Sequence, residues 1–139
     1  MNGAAIPGGF EPLEPSPFGE RVGPLYMNTG GAVPLLGLRV EAHHANRGGR
    51  VHGGVLMTLA DVALSRGVHA HLPPGATMWT ADLQIAFLQG AGQGEWVEAR
   101  PTVDRLGRSL VHASCVIRAG ERELAKALAT FAVRVPGLE

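Results

Sequence analysis

The stretch His52-Gly53-Gly54-Val55-Leu56-Met57-Thr58-Leu59-Ala60-Asp61-Val62-Ala63-Leu64-Ser65 decides how the rest of the chain is read. Two glycines open it, and neither a proline nor a charge cluster interrupts it, so it predicts a helix that continues to about His69. Each helical residue advances by about 100°, which brings Thr58, Asp61 and Ser65 within about one-sixth of a turn of one another. They make a narrow polar stripe on a rod otherwise built of Val, Leu, Met and Ala. A helix this apolar is normally buried, and an ionised carboxylate is costly to bury without partners. Asp61 therefore needs a reason, although a structural bond to a neighbouring loop would serve as well as chemistry on the helix alone.

The residues upstream shift that balance. Asn46-Arg47-Gly48-Gly49-Arg50-Val51 leads into His52-Gly53-Gly54, so a glycine loop delivers bare backbone N–H groups to a helix start. Helix N-termini carry unsatisfied donors and a partial positive charge, and glycine lets a ligand approach closely. Such a site can hold a phosphate or polarise a carbonyl.

Outward from the helix, the chain alternates. Leu38 to His43 predicts a half-buried strand before the loop. After the turn Pro73-Pro74-Gly75, strands are expected over Thr80–Leu88, Glu95–Val103, Ser109–Arg118 and Ala125–Val135. In the first of these, Ala81, Leu83, Ile85 and Phe87 fall on one face and Asp82, Gln84 and Ala86 on the other. The last strand goes against local propensity, because Glu123 to Ala129 is rich in helix formers. It is assigned as strand because Phe131, Val133 and Val135 continue an alternation. A helix apolar on most sides cannot simply lie on a flat sheet, so the sheet has to curl around it. Its open edges call for cover, most simply by a second copy of the chain.

The 139 residues suit a single domain over 17–139, preceded by a Gly- and Pro-rich arm over 1–16 that reads as flexible. Ser16-Pro17 opens a short helix that Gly23-Pro24 ends. Lys plus Arg and Asp plus Glu both number 12, so no basic field draws nucleic acid. No apolar run is long enough to cross a membrane, the arm lacks a signal-peptide pattern, and Cys115 is the only cysteine. A reduced cytoplasmic setting follows, with Cys115 as a core filler. His43-His44 sits on a predicted strand, where neighbours face opposite ways. His69-Ala70-His71 lacks further ligands, so no metal site is expected. Gly90-Ala91-Gly92-Gln93-Gly94 joins two strands with the wrong spacing for a nucleotide loop and reads as a turn.

Taken together, Asn46, Gly49, His52-Gly53-Gly54 and Asp61 resemble the signature of hotdog-fold acyl-CoA thioesterases, nearest to the phenylacetate-pathway and mammalian groups. The likeness continues through Thr80 to Leu88, Gly107-Arg108-Ser109 and the closing strand. It implies an α+β hotdog fold, in which a curled antiparallel sheet of about five strands wraps one long central helix. It implies a homodimer, expected as a dimer of dimers, that cleaves acyl-CoA to a free acid and CoA without a cofactor. In that family Asp61 would be the general base or nucleophile, and Gly53 of the other subunit would polarise the thioester carbonyl. Asn46 would orient the water or the carboxylate, His52 would shape the site, and Thr80 would stand near the attacking water. Gly54, Arg105, Arg108 and Ser109 would contact the CoA substrate. The residue types suit the chemistry, because a thiolate leaves without much protonation, so one base and one aimed donor suffice. Trp79, Phe87 and Met57 serve as acyl-channel or plain core residues.

Two other classes fit the same scaffold. A hotdog hydratase or dehydratase would use His with an acidic partner, but no acidic residue follows His52 at the expected place. A non-catalytic acyl-CoA-binding module would not need both the carboxylate and the glycine helix start.

Overall fold

The computed structural model describes residues 5–137. After the helix, four long strands run in order: β4 (Thr77–Phe87), β5 (Trp96–Leu106), β6 (Leu110–Ala119) and β7 (Arg122–Arg134). Before it come β1 (Glu11–Pro12), the short helix α1 (Pro17–Val22), β2 (Tyr26–Asn28) and β3 (Leu35–Arg39). The seven strands form one antiparallel sheet in the order β1-β2-β3-β5-β6-β7-β4. The two shortest strands account for the excess over the five expected, being too short to show alternation. The strand assigned to Ala125–Val135 against its propensity is present as β7, begins at Arg122, and pairs with neighbours on both sides. Non-local pairing overrides the helix preference of Leu124 to Ala129.

The central helix α2 spans Gly53–His69, as its sequence predicts. Leu56, Leu59, Ala60, Ala63, Leu64, Gly67 and Val68 are buried on it, and the opposing core comes from alternate residues of β5, β6 and β7. A fully buried leucine contributes about 2 kcal/mol, so this one face holds helix and sheet together. Gly67 sets the approach: a Cβ there would lie 2.9 Å from the Pro101 ring on β5. Cys115 belongs to the same core, where burial pushes its thiol up to about 12. It is a filler and not a nucleophile.

The strand predicted over Leu38–His43 is displaced. It runs from Leu35 to Arg39, and Ala42–His44 turns into a single 3-10 turn. The cause is local: the Glu41 side chain caps His44 while the His44 ring accepts from the Glu41 N–H at 2.9 Å. His43 and His44 therefore do not face opposite ways but stack with ring centroids 3.9 Å apart. Their Nε2 atoms reach the carbonyls of Gly23 at 2.7 Å and Val22 at 2.6 Å, clasping the end of α1. Ser16 caps α1 by accepting from the Gly19 N–H, as read from the sequence. In the N-terminal arm, Phe10 packs edge-on against Trp96 and β1 pairs with β2.

Candidate active site

The loop before α2 is fixed by backbone bonds on every side. Asn46 Oδ1 accepts from the N–H groups of Gly48 at 2.9 Å and Arg50 at 3.1 Å, folding the glycine loop back on itself. The Val51 N–H donates to Ala91 and the His52 N–H to His44, both at 2.8 Å. The loop carrying Ala91 is braced in turn: Glu95 accepts from the Gly92 N–H and pairs with Arg122 at 2.9 Å. These contacts hold the Glu95 carboxyl below its usual range, with the Arg122 bond the leading cause. The Gly90–Gly94 turn thus acts as the footing of the helix start, a role its composition did not show.

Gly53 and Gly54 differ at that start. His52 is the N-cap of α2, and its Nδ1 accepts from the Gly54 N–H at 2.8 Å. An accepting Nδ1 carries no proton, so the neutral ring keeps its hydrogen on Nε2. The N–H groups of Val55 and Leu56 turn back to the His52 carbonyl. Among the described residues, nothing accepts from the Gly53 N–H, the first-turn donor left over. The Phe87 ring stands beside it, 3.2 Å from where a Gly53 Cβ would be. Phe87 is 52% exposed and Met57 36%, so neither is simple core packing.

Asp61 lies on the flank of α2 next to β4 and is half-buried, not enclosed as an apolar helix had suggested. Thr80 Oγ1 donates to Asp61 Oδ1 at 2.7 Å. The partnership depends on a β-bulge. β4 shifts register against β7 between Thr80 and Asp82, so Thr80 sits opposite Phe131 and Asp82 opposite Thr130. Simple alternation would place Thr80 and Asp82 on one face. The extra residue, Ala81, turns Thr80 inward to the helix and leaves Asp82 outside. Trp79, taken as an acyl-channel candidate, stands opposite Ala132 and under the Arg134 guanidinium, which is 5.9 Å from its ring centre.

The remaining site residues separate into those brought together and those not. Asp61 and Thr80 meet, and His52 and Gly53 form the helix cap. Asn46 has its carbonyl oxygen committed to the loop and makes no bond to Asp61, so in one chain it orients the loop and not the carboxylate. Gly54 has its N–H committed to His52 and offers no free donor. Arg105, Arg108 and Ser109 are exposed around the β5–β6 connection, apart from both groups in the sequence of elements. Along the helix, Gly53 and Asp61 are separated by about 12 Å. One thioester carbonyl cannot span that distance, so the two halves of one chain do not make one site.

The thioesterase superfamily model matches residues 48–126, more than half of the chain and all of α2 and β4. The chain belongs to the thioesterase superfamily. A Pseudomonas aeruginosa protein named "Putative esterase PA0474" is 37% identical over 91% of this chain and 96% of its own length. The solved structure of the conserved protein PA5202 from the same organism superposes with a TM-score of 0.78 at 30% identity, covering 86% of this chain and 94% of that one. A Bacillus halodurans protein, BH2602, solved with CoA, shares the fold with a TM-score of 0.68 at 24% identity, over 72% of this chain and 66% of that one. The curled sheet around one helix is the hotdog fold of this superfamily, and hydrolysis of a thioester is the chemistry the membership supports. Among the described residues no helix is long and apolar enough to cross a membrane, and no three His, Cys, Asp or Glu side chains gather as metal ligands.

Proposed function

We propose that this thioesterase-superfamily protein hydrolyses an acyl-CoA as a homodimer, with each site built from two copies of the chain. The observation that carries the reading is the Thr80–Asp61 bond. A hydroxyl donated to one carboxylate oxygen fixes the side chain and leaves the other oxygen to take a proton from water. Gly53, with its N–H unspent, is the donor suited to a developing oxyanion. Because about 12 Å of helix separates the two within a chain, the Gly53 that serves one Asp61 comes from a second, antiparallel copy. The long unpaired edge of β4 is where that copy would add. His52 holds the cap, and its outward Nε2–H can reach the thioester. Asn46 shapes the loop and keeps its amide NH2 for the same carbonyl. Arg105, Arg108 and Ser109 supply an exposed polar patch for the CoA phosphates, and the fold relative solved with CoA supports CoA as the carrier of the thioester. A dimer of dimers and a cytoplasmic setting complete this reading.

Two variants test it together. Asp61→Asn is expected to fold normally and lose about two to four orders of magnitude in turnover, read as free thiol release from acyl-CoA. Gly53→Pro removes the donor: proline is tolerated at the first helical position, His52 already has the extended backbone (φ −68°, ψ 137°) that precedes proline, and the exposed Phe87 ring, 3.2 Å from the new Cβ, has room to turn aside. It is expected to lose about two to three orders. Mixing the two inactive chains and allowing exchange then restores roughly a quarter of the wild-type rate, since about half the dimers are mixed and each carries one intact site. No recovery after verified exchange would sink the shared site. Full activity of Asp61→Asn would remove the base.

A further inference from the structure

The polar stripe of α2 does not stop at Asp61. Ser65 and His69 follow on the same flank at four-residue spacing, with Arg66 beside them, and the three line a cavity of about 420 Å³ completed by Met78, Trp79 and Thr80. Thr80 is the residue bonded to Asp61, so the cavity begins where the reacting carbon would be held. The thioester carbon has two substituents, and the reading above gives the sulfur side to the surface patch of Arg105 and Arg108. A substituent of the carbon held at Thr80 extends into this cavity, and the lining then selects what enters.

That lining is partly apolar, from Met78 and Trp79, and carries Arg66, which also borders the neighbouring cavity under Met27 and Val33, while the Arg134 guanidinium stands over the Trp79 ring. Arg66 stands about 7.5 Å from Asp61 along the helix axis. Its guanidinium cannot shed its charge. The ion pairs among the described residues are Arg118–Glu123, Arg122–Glu95 and Lys126–Glu123, and Arg66 takes part in none. No carboxylate of the described residues lies on it, while Ser65 and His69 place further polar groups alongside. A short carbon chain ending in a planar anion fits both parts: the chain against Met78 and Trp79, the carboxylate in the guanidinium fork. We infer that the cavity below Asp61 is an acyl-binding site for ω-carboxyacyl thioesters, the mono-CoA esters of dicarboxylic acids, with Arg66 as the specificity-determining residue. The inference rests on the acyl-CoA hydrolase reading.

Hexanoyl-CoA and adipoyl-CoA test it, because they match in carbon number and carry the same CoA. The wild-type protein is expected to favour adipoyl-CoA in kcat/KM by about tenfold or more, the worth of one charge-assisted contact. Arg66→Gln lowers that ratio by about tenfold, while Arg66→Lys, which keeps the charge, retains part of it. Equal losses on both substrates would show that Arg66 serves the CoA phosphates, and a wild-type preference for hexanoyl-CoA would show an apolar acyl site; either overturns the inference. If neither thioester is cleaved, the hydrolase reading falls by itself. The Kd ratio of the two intact thioesters on the wild-type chain and on Arg66→Gln, measured by calorimetry, then decides the acyl preference alone.

Discussion

The two edges of the sheet are built to opposite specifications. One ends in β1, only two residues long, with Pro12 unable to donate a ladder bond. Short edges carrying proline discourage further strand pairing. The other ends in β4, eleven residues bonded to β7 on one side only, with no proline and no lysine, and with most of its residues exposed. An edge of that length without protection is a template for another strand. Three of the catalytic candidates lie at the β4 side: Thr80 is on the strand, Asp61 is bonded to it, and Gly53 stands beside the Phe87 ring at its end. The difference teaches that one edge is closed to further pairing and the other left open, and the proposed dimer would place its chemistry at the open one.

The largest effect should come from closing the open edge. Gln84 and Ala86 are exposed and face away from the helix, opposite Leu128 and Lys126 of β7. Changing both to lysine sets like charges against each other wherever two β4 strands meet. The expected outcome is a folded monomer by sedimentation with turnover down by about two to three orders, because the partner's oxyanion donor is gone. The matching change Glu11→Lys at the β1 edge should leave both assembly and turnover untouched. A dimer that survives the β4 changes with full activity would break the comparison between the edges.

A smaller effect isolates the bulge. Thr80→Val keeps the shape of the side chain and removes the hydroxyl that Asp61 accepts. A hydrogen bond to a charged group contributes about 1.5–3 kcal/mol, so kcat should fall about tenfold or somewhat more while the dimer persists. Loss of assembly in this variant would mean that Thr80 acts on the edge and not on the carboxylate.

That bulge also marks where sequence reading reached its end. The helix bounds, the Ser16 cap, the order of the four later strands and the curl of the sheet were legible, because each follows from a period or a terminal residue. Thr80 was placed near the attacking water by family resemblance alone, and its bond to Asp61 was not foreseen, since its own alternation puts it with Asp82 on the outer face. Ala81 reverses that, and no periodicity reveals which residue of a strand will be the extra one. The distinction between Gly53 and Gly54 was hidden for a related reason. It depends on where the His52 ring points, and a ring rotamer leaves no trace in spacing. Asn46 was read as reaching outward, but an asparagine ahead of two glycines first satisfies the loop it sits in. Arg66 escaped notice, and His69 was weighed only as a metal ligand, because a polar residue near a helix end reads as solvated until a cavity is seen around it.

The smallest expected effect concerns the protected edge, which is steadied by His44. This ring is 1% exposed, donates from Nε2 to the Val22 carbonyl and accepts at Nδ1 from the Glu41 N–H, and its own carbonyl holds the His52 N–H. Burial lowers its pKa below the ordinary 6.5, outweighing the Val22 bond that favours the charged form; the neighbouring His43 adds to the lowering. The unfolded chain therefore takes up a proton at a pH where the folded chain does not. The contribution to stability is complete above 6.5 and is lost as pH falls below 6.5 through the lowered folded value. Protonation would also place a hydrogen on Nδ1 against the Glu41 N–H, loosening the turn that clasps α1. Thermal melts should fall between about pH 7 and about pH 5 in the wild type and fall less steeply in His44→Gln. Hydrogen exchange over the same range should quicken in α1 and at the His52 amide before it does in β4. If β4 loosens first, the acid-sensitive element lies at the assembly edge, and the division of labour between the two edges fails.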